Sequence, residues 1–216
     1  RVRVKYIHGF LESIESNTNR YLTARGLEYS DNESVIFGFS ESVIYSGEKR
    51  SIDIGYLNPI SSHLEVELND RLNTFGTRSA NAVWQLHFDW LIKYRIWLSL
   101  NYLIDEIVLD RQEQINKANG TAFSLKTVYT ILKSPNHVFS VFVSYIYVGT
   151  QTFRHWIGSN NFVHLNKPLG WENGSDSDEF RLGFNYFNKE NMIGAISFSI
   201  DRIGVKNINQ NAYDGY

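Results

Sequence analysis

The sequence predicts an all-β protein, an antiparallel transmembrane β-barrel with about nine strands in this chain. Three observations predict it. Apolar residues recur at every second position along most of the chain. The alternating stretches run to about ten residues, the length a tilted strand needs to cross a bilayer, whereas soluble strands are nearer five or six. The joints between them are short and long in turn.

The first strand sets Val2, Val4, Tyr6 and Phe10 against Arg1, Arg3 and Lys5. A second ends near Tyr29. In a third, Val35, Phe37, Phe39, Val43 and Tyr45 alternate with Ser34, Gly38, Ser40 and Ser42. From Trp84 to Ile104 every even position is apolar, against Gln85, His87, Asp89, Lys93, Arg95, Ser99 and Asn101. A helix would space its apolar residues by three and four. This run is too long for one strand, so it reads as a hairpin turning near Leu91 to Arg95. Phe123, Leu125, Tyr129 and Ile131 share a face, as do Phe139, Val141, Val143, Tyr145 and Tyr147. Phe180, Leu182, Phe184 and Tyr186 oppose Glu179, Arg181, Gly183 and Asn185, and Ile196, Phe198 and Ile200 oppose Ala195, Ser197 and Ser199. The aromatic-rich face is assigned to lipid, because Asp89, Lys93, Arg95 and Arg181 lie opposite it.

Short joints fall at Ser30 to Glu33, Leu91 to Arg95, Lys133 to His137 and Asn188 to Asn191. Between them come Glu15 to Arg20 and the long loops at about 46–80, 109–121 and 150–178. Outer-membrane barrels keep short turns on the periplasmic side and long loops outside. Residues 1–216 are read as one barrel domain. Nine strands put the two ends on opposite sides, and an open sheet leaves bare edges in lipid. The chain is therefore expected to be part of a larger barrel. A soluble β-sandwich is the alternative for the same pattern.

Composition narrows the chemistry. Lys plus Arg is 21 against 23 for Asp plus Glu, a balance that lacks the basic footprint of a duplex-binding protein, so no nucleic-acid partner is expected. There is no Cys, which removes disulfides, thiolate metal sites and thiol nucleophiles. Aromatics reach 15%, high enough to furnish both a lipid-facing wall and loop contacts. No run is long and apolar enough for a membrane helix, and the opening RVRVKYIHGF has no apolar signal core. No nucleotide-binding glycine motif and no H-E-x-x-H pattern occurs. Asp105 and Glu106 are neighbours on a strand and point to opposite faces, so they do not make an acid/base pair; Glu41 is a candidate partner across the lumen. No G-x-S-x-G elbow supports a Ser hydrolase. The loop after Gly149 mixes Trp156, Trp171, Phe162, Arg154 and His155 with amides, hydroxyls and glycines. Aromatic faces beside amides suit sugars, and equally suit packing of the loop into a barrel mouth.

Five strings taken in order, RYLTARGLEYS, FGFSESVIYSG, YLNPI, LIDEIVLD and GTQTFRHWIGSNNFVHLNKPLGWENGSDSDEFRLG, resemble the capsule-assembly Wzi family across roughly residues 20 to 185. The resemblance implies an outer-membrane barrel of about eighteen strands in the parent protein. It implies a non-catalytic surface lectin that holds capsular polysaccharide. Glu41, Tyr56, Leu57, Asn58, Pro59, Asp105, Pro168 and Gly170 match family positions. Pro59 fixes its own backbone and restricts Asn58, which marks a structural turn first and a ligand contact second.

The expectation is an outer-membrane protein that binds capsular or extracellular polysaccharide without turnover and without a cofactor. Tyr56, Trp156 and Trp171 would stack on sugar, and Glu41, Asn58, Asp105 and His155 would hydrogen-bond it. No metal site is expected. The expected partners are that polysaccharide, outer-membrane lipid and other envelope proteins. The alternatives are a porin-like or structural barrel subunit of an envelope assembly, and a barrel hydrolase of lipid or glycan.

Overall fold

A computed structural model describes residues 1–13, 17–63, 80–106, 119–190, 192–206 and 208. The interiors of the loops expected at 46–80 and 109–121 lie outside these residues. Nine long strands form one antiparallel sheet in chain order. They are β1 (Val2–Leu11), β2 (Thr18–Ser30), β3 (Val35–Glu48), β4 (Ala80–Ile92), β5 (Ile96–Glu106), β6 (Gly120–Lys133), β7 (His137–Val148), β10 (Ser177–Asn188) and β11 (Met192–Ile203). A short helix α1 (Ile54–Leu57) follows β3, and a two-residue ladder of β8 (Val163–His164) and β9 (Lys167–Pro168) lies between β7 and β10. Among the described residues β1 and β11 are the sheet's edges and do not pair, so this is an open sheet rather than a closed barrel. The sandwich alternative needed two packed sheets of long strands, and here there is one.

The alternating joints are present. Residues 31–34, 93–95 and 134–136 turn tightly at one end, where β10 also ends and β11 begins, and the long connections leave from the other. The turn after β4 places Lys93 and Tyr94 at φ 49 and 60, the left-handed twist that lets a tight hairpin close. Lys93 and Arg95 thus sit in the turn and mark neither face, which corrects their use in assigning the lipid side; Asp89 and Arg181 do lie opposite the aromatic face.

Residues paired across an antiparallel ladder share a face. One row runs Leu27, Phe39, Leu86, Tyr102, Phe123, Tyr147, Asp178 and Arg202. It starts near the short-turn end of β2 and β3 and finishes at the long-loop end of β10. The strands are therefore staggered in one direction, the shear that closing a barrel requires. Along this face Val4, Leu27, Phe39, Leu86, Leu100, Leu125, Leu182 and Phe198 are exposed.

The opposite face is polar and closely fitted. His87 lies where a side chain at Gly38 would stand, and the ring of Phe142 lies against Gly183, where an added Cβ would meet it at 2.4 Å. A third pair, Lys126 over Phe142 at 4.8 Å, places a cation on the same ring. The backbone oxygen of Ile196 stands 3.0 Å from that same Cβ, so the ring alone cannot relieve the contact. Gly183→Ala is expected to destabilise the sheet by about 1–3 kcal/mol, read as a lower unfolding midpoint, with partial recovery in Gly183→Ala/Phe142→Leu.

At the short-turn end, Asp31 caps the β2–β3 turn. Its Oδ1 accepts from the backbone N–H of Glu33, Ser34 and Val35 at 2.8 to 2.9 Å. These N–H donors, Val35 first, hold the carboxyl well below its ordinary value. A carboxyl lowered on folding stabilises above its unfolded pKa, and that contribution fades as pH falls toward the folded one. The stability gap between the protein and Asp31→Ala is therefore expected to be full at neutral pH and to narrow below about pH 4, as checked by unfolding midpoints across that range.

Candidate functional site

The expected site residues do not meet in one place. They fall into two groups on opposite faces of the sheet.

On the aromatic face, the segment after β3 folds back over the long-loop ends of β1 to β4. Asp53 caps α1 by accepting from the N–H of Gly55 at 3.0 Å. The helix lasts one turn because Asn58, ahead of Pro59, is already extended. Tyr56 is fully buried, its ring stacked on Tyr45 at 4.5 Å, and Tyr45 stacks in turn on Tyr21 at 5.0 Å. The Arg50 guanidinium lies 4.8 Å from the Tyr45 ring centre. The Asn58 side chain closes its own turn, donating to Ser61 Oγ at 2.7 Å and accepting from the Ile60 N–H at 3.0 Å.

Glu41 anchors this cover. It is 3% exposed and accepts from Arg25 Nε at 2.7 Å and Trp84 Nε1 at 2.8 Å; His63 Nδ1 lies 2.7 Å away. Arg25 also donates to the Asn58 carbonyl at 2.6 Å, and Tyr6 to that of Leu57 at 2.9 Å. Glu41, through Arg25 and His63, and Tyr56, through its stack on Tyr45, thus hold the segment to the wall, with the Asn58 turn exposed at its edge.

On the polar face, residues 149–176 fold inward over the sheet. Phe153, Phe162 and Val163 pack on Ile44, Val83, Ala122 and Val148, with Trp171 beside them. Arg20 pins this segment. It is 1% exposed, and donates to the carbonyls of Ser159 at 2.5 Å, Asn161 at 2.9 Å, Val163 at 3.0 Å and Glu12 at 3.2 Å. Ser46 adds a hydrogen bond to Asn160 Oδ1 at 2.6 Å. Asp105 accepts from the Phe153 N–H. His155 Nδ1 accepts from the Ile157 N–H at 3.0 Å, while His164 pairs with Glu12, so the two histidines of this loop have separate partners. Trp156 is 57% exposed, and Trp171 is half-buried at the edge of a cavity.

Two consequences follow for chemistry. Glu41 and Asp105 engage segments on opposite sides of the sheet, so they cannot flank one glycosidic bond. No cluster of three or more His, Asp or Glu placed to hold a metal occurs among the described residues.

Sequence reasoning passed over Arg20, His63, Trp84 and the amides Gln85 and Asn101. The Arg25–Glu41 pair was within reach: once the turn at 31–34 is set, hairpin counting brings the two opposite each other. Arg20 stands at the start of an ordinary alternating strand and carried no such signal. Comparison of the chain with protein-family models, with curated proteins and with solved structures finds no match.

Proposed function

We propose that this chain is part of an outer-membrane β-barrel of the Wzi type that binds or retains capsular or extracellular polysaccharide at the cell surface, without turnover. The observation that carries the reading is the two-sided sheet: a broad exposed apolar wall on one face, and a folded aromatic loop over a polar interior on the other. A belt of this kind is what lipid covers, and soluble monomers rarely expose so wide a patch. The uniform stagger of the strands suits barrel closure. The open edges of β1 and β11 favour further strands, since bare N–H and C=O groups are not tolerated in hydrocarbon. Both edge strands run in the same direction, so closing them on each other would make a parallel pair. In this reading Trp156 and Trp171 offer the sugar-stacking faces and His155 lines the loop, while Glu41, Tyr56, Asn58 and Asp105 hold the loops that present them.

The test is fractionation of the full-length protein with heat-modifiable gel mobility, followed by capsule retention in a deletion strain complemented with the protein or with Trp156→Ala. Membrane recovery with a heat shift and restored capsule supports the reading. A soluble protein without a heat shift overturns it.

A further inference from the structure

Beneath the loop 149–176 the polar face of β3 to β7 borders an open cleft of about 490 Å³, within the range of about 300–1,000 Å³ that small-ligand sites occupy. Its floor carries a ladder of neutral polar groups. Gln85 Nε2 donates to Asn101 Oδ1 at 3.0 Å, and Asn101 Nδ2 donates to Ser124 Oγ at 3.1 Å. The ladder uses one N–H of each amide and leaves the second N–H of each, and the hydroxyl proton of Ser124, for another partner. The roof is aromatic, formed by Phe153, Phe162 and Trp171. No charged side chain is among the described residues that line it.

We infer that this cavity binds an uncharged saccharide unit, its hydroxyls on the Gln85–Asn101–Ser124 ladder and its apolar ring face against Trp171. This rests on the polysaccharide-binding reading and narrows it. Amides give both donors and acceptors, which matches hydroxyls that do both, and an aromatic face matches the C–H face of a pyranose. An acidic sugar would bring a carboxylate or phosphate to a cleft whose described lining residues include no Arg or Lys, and partly desolvating an unpaired charge is costly. The cleft therefore favours neutral residues along a polymer.

The test uses full-length protein in detergent and two probes of equal length, a neutral glucan oligosaccharide and an oligogalacturonate. Binding is followed by tryptophan fluorescence and calorimetry. The neutral probe is expected to bind, and Asn101→Leu and Trp171→Ala to weaken it about tenfold or more. Ser124→Ala removes only a hydroxyl and serves if either variant loses its heat-modifiable fold; it should weaken the neutral probe severalfold. Preference for the oligogalacturonate, or neutral binding indifferent to all three variants, overturns the cavity assignment and leaves the surface-lectin reading standing. Failure of both probes, together with no binding of the native polymer, overturns the two together.

Discussion

Arg20→Ala is expected to release residues 149–176 from the polar face. The guanidinium satisfies the buried carbonyls of Ser159, Asn161 and Val163, and it joins β2 to a segment about 140 residues away in sequence. The Asn161 carbonyl keeps the Val163 N–H at 2.8 Å, whereas those of Ser159 and Val163 lose a buried donor; at about 1–3 kcal/mol each, a loss of about 2–6 kcal/mol is expected in the stability of the loop's packing. Proteolysis within 149–176 should accelerate by one order of magnitude or more, because each 1.4 kcal/mol is tenfold in the open population. Arg20→Lys should rescue little: an ammonium on a single stem cannot reach carbonyls that Nε, Nη1 and Nη2 reach separately. Equal protection in the alanine variant and the parent would show that apolar packing of Phe153 and Phe162 alone holds the loop.

Glu41→Ala is expected to act on the other face. It leaves the buried Arg25 cation, His63 and the Trp84 N–H without their shared acceptor. Removing one member of a buried ion pair costs about 3–5 kcal/mol, most of it the stranded partner. The segment from Asp53 to His63 should lose protection against hydrogen exchange, while 149–176 should not. The double variant Arg25→Leu/Glu41→Leu should recover part of the loss, since it removes both charges. If the double variant is no better than the sum of the single ones, the pair is not coupled and the tyrosine stack of Tyr21, Tyr45 and Tyr56 carries the cover alone.

These two variants separate the roles that the sequence had placed together. Glu41, Tyr56 and Asn58 sit in one short stretch of family-like strings; the sequence offers all three as ligand groups, with Tyr56 to Pro59 read as a structural turn first and a ligand contact second. Their neighbours give each a structural partner. Tyr56 has Tyr45 on its ring, Asn58 spends its amide on a turn before Pro59, and Glu41 faces Arg25, His63 and Trp84. Trp171, expected from the sequence only as a loop aromatic, borders a polar cleft whose floor, Gln85, Asn101 and Ser124, comes from three different strands.

The sequence by itself determined the strands, their turns and their two faces. The reason is that strand periodicity is local: Trp84 to Ile104 alternates whatever lies elsewhere, and a tight joint at 31–34 sets the register of β2 on β3. Only the tertiary structure decided where the loops lie. Arg20 finding Ser159, Glu41 finding His63 across a loop, and Asp105 finding Phe153 depend on contacts between distant segments, and no periodicity records those. The openness of the sheet belongs to the same class, because whether β1 and β11 meet depends on the sum of twist and stagger over all nine strands.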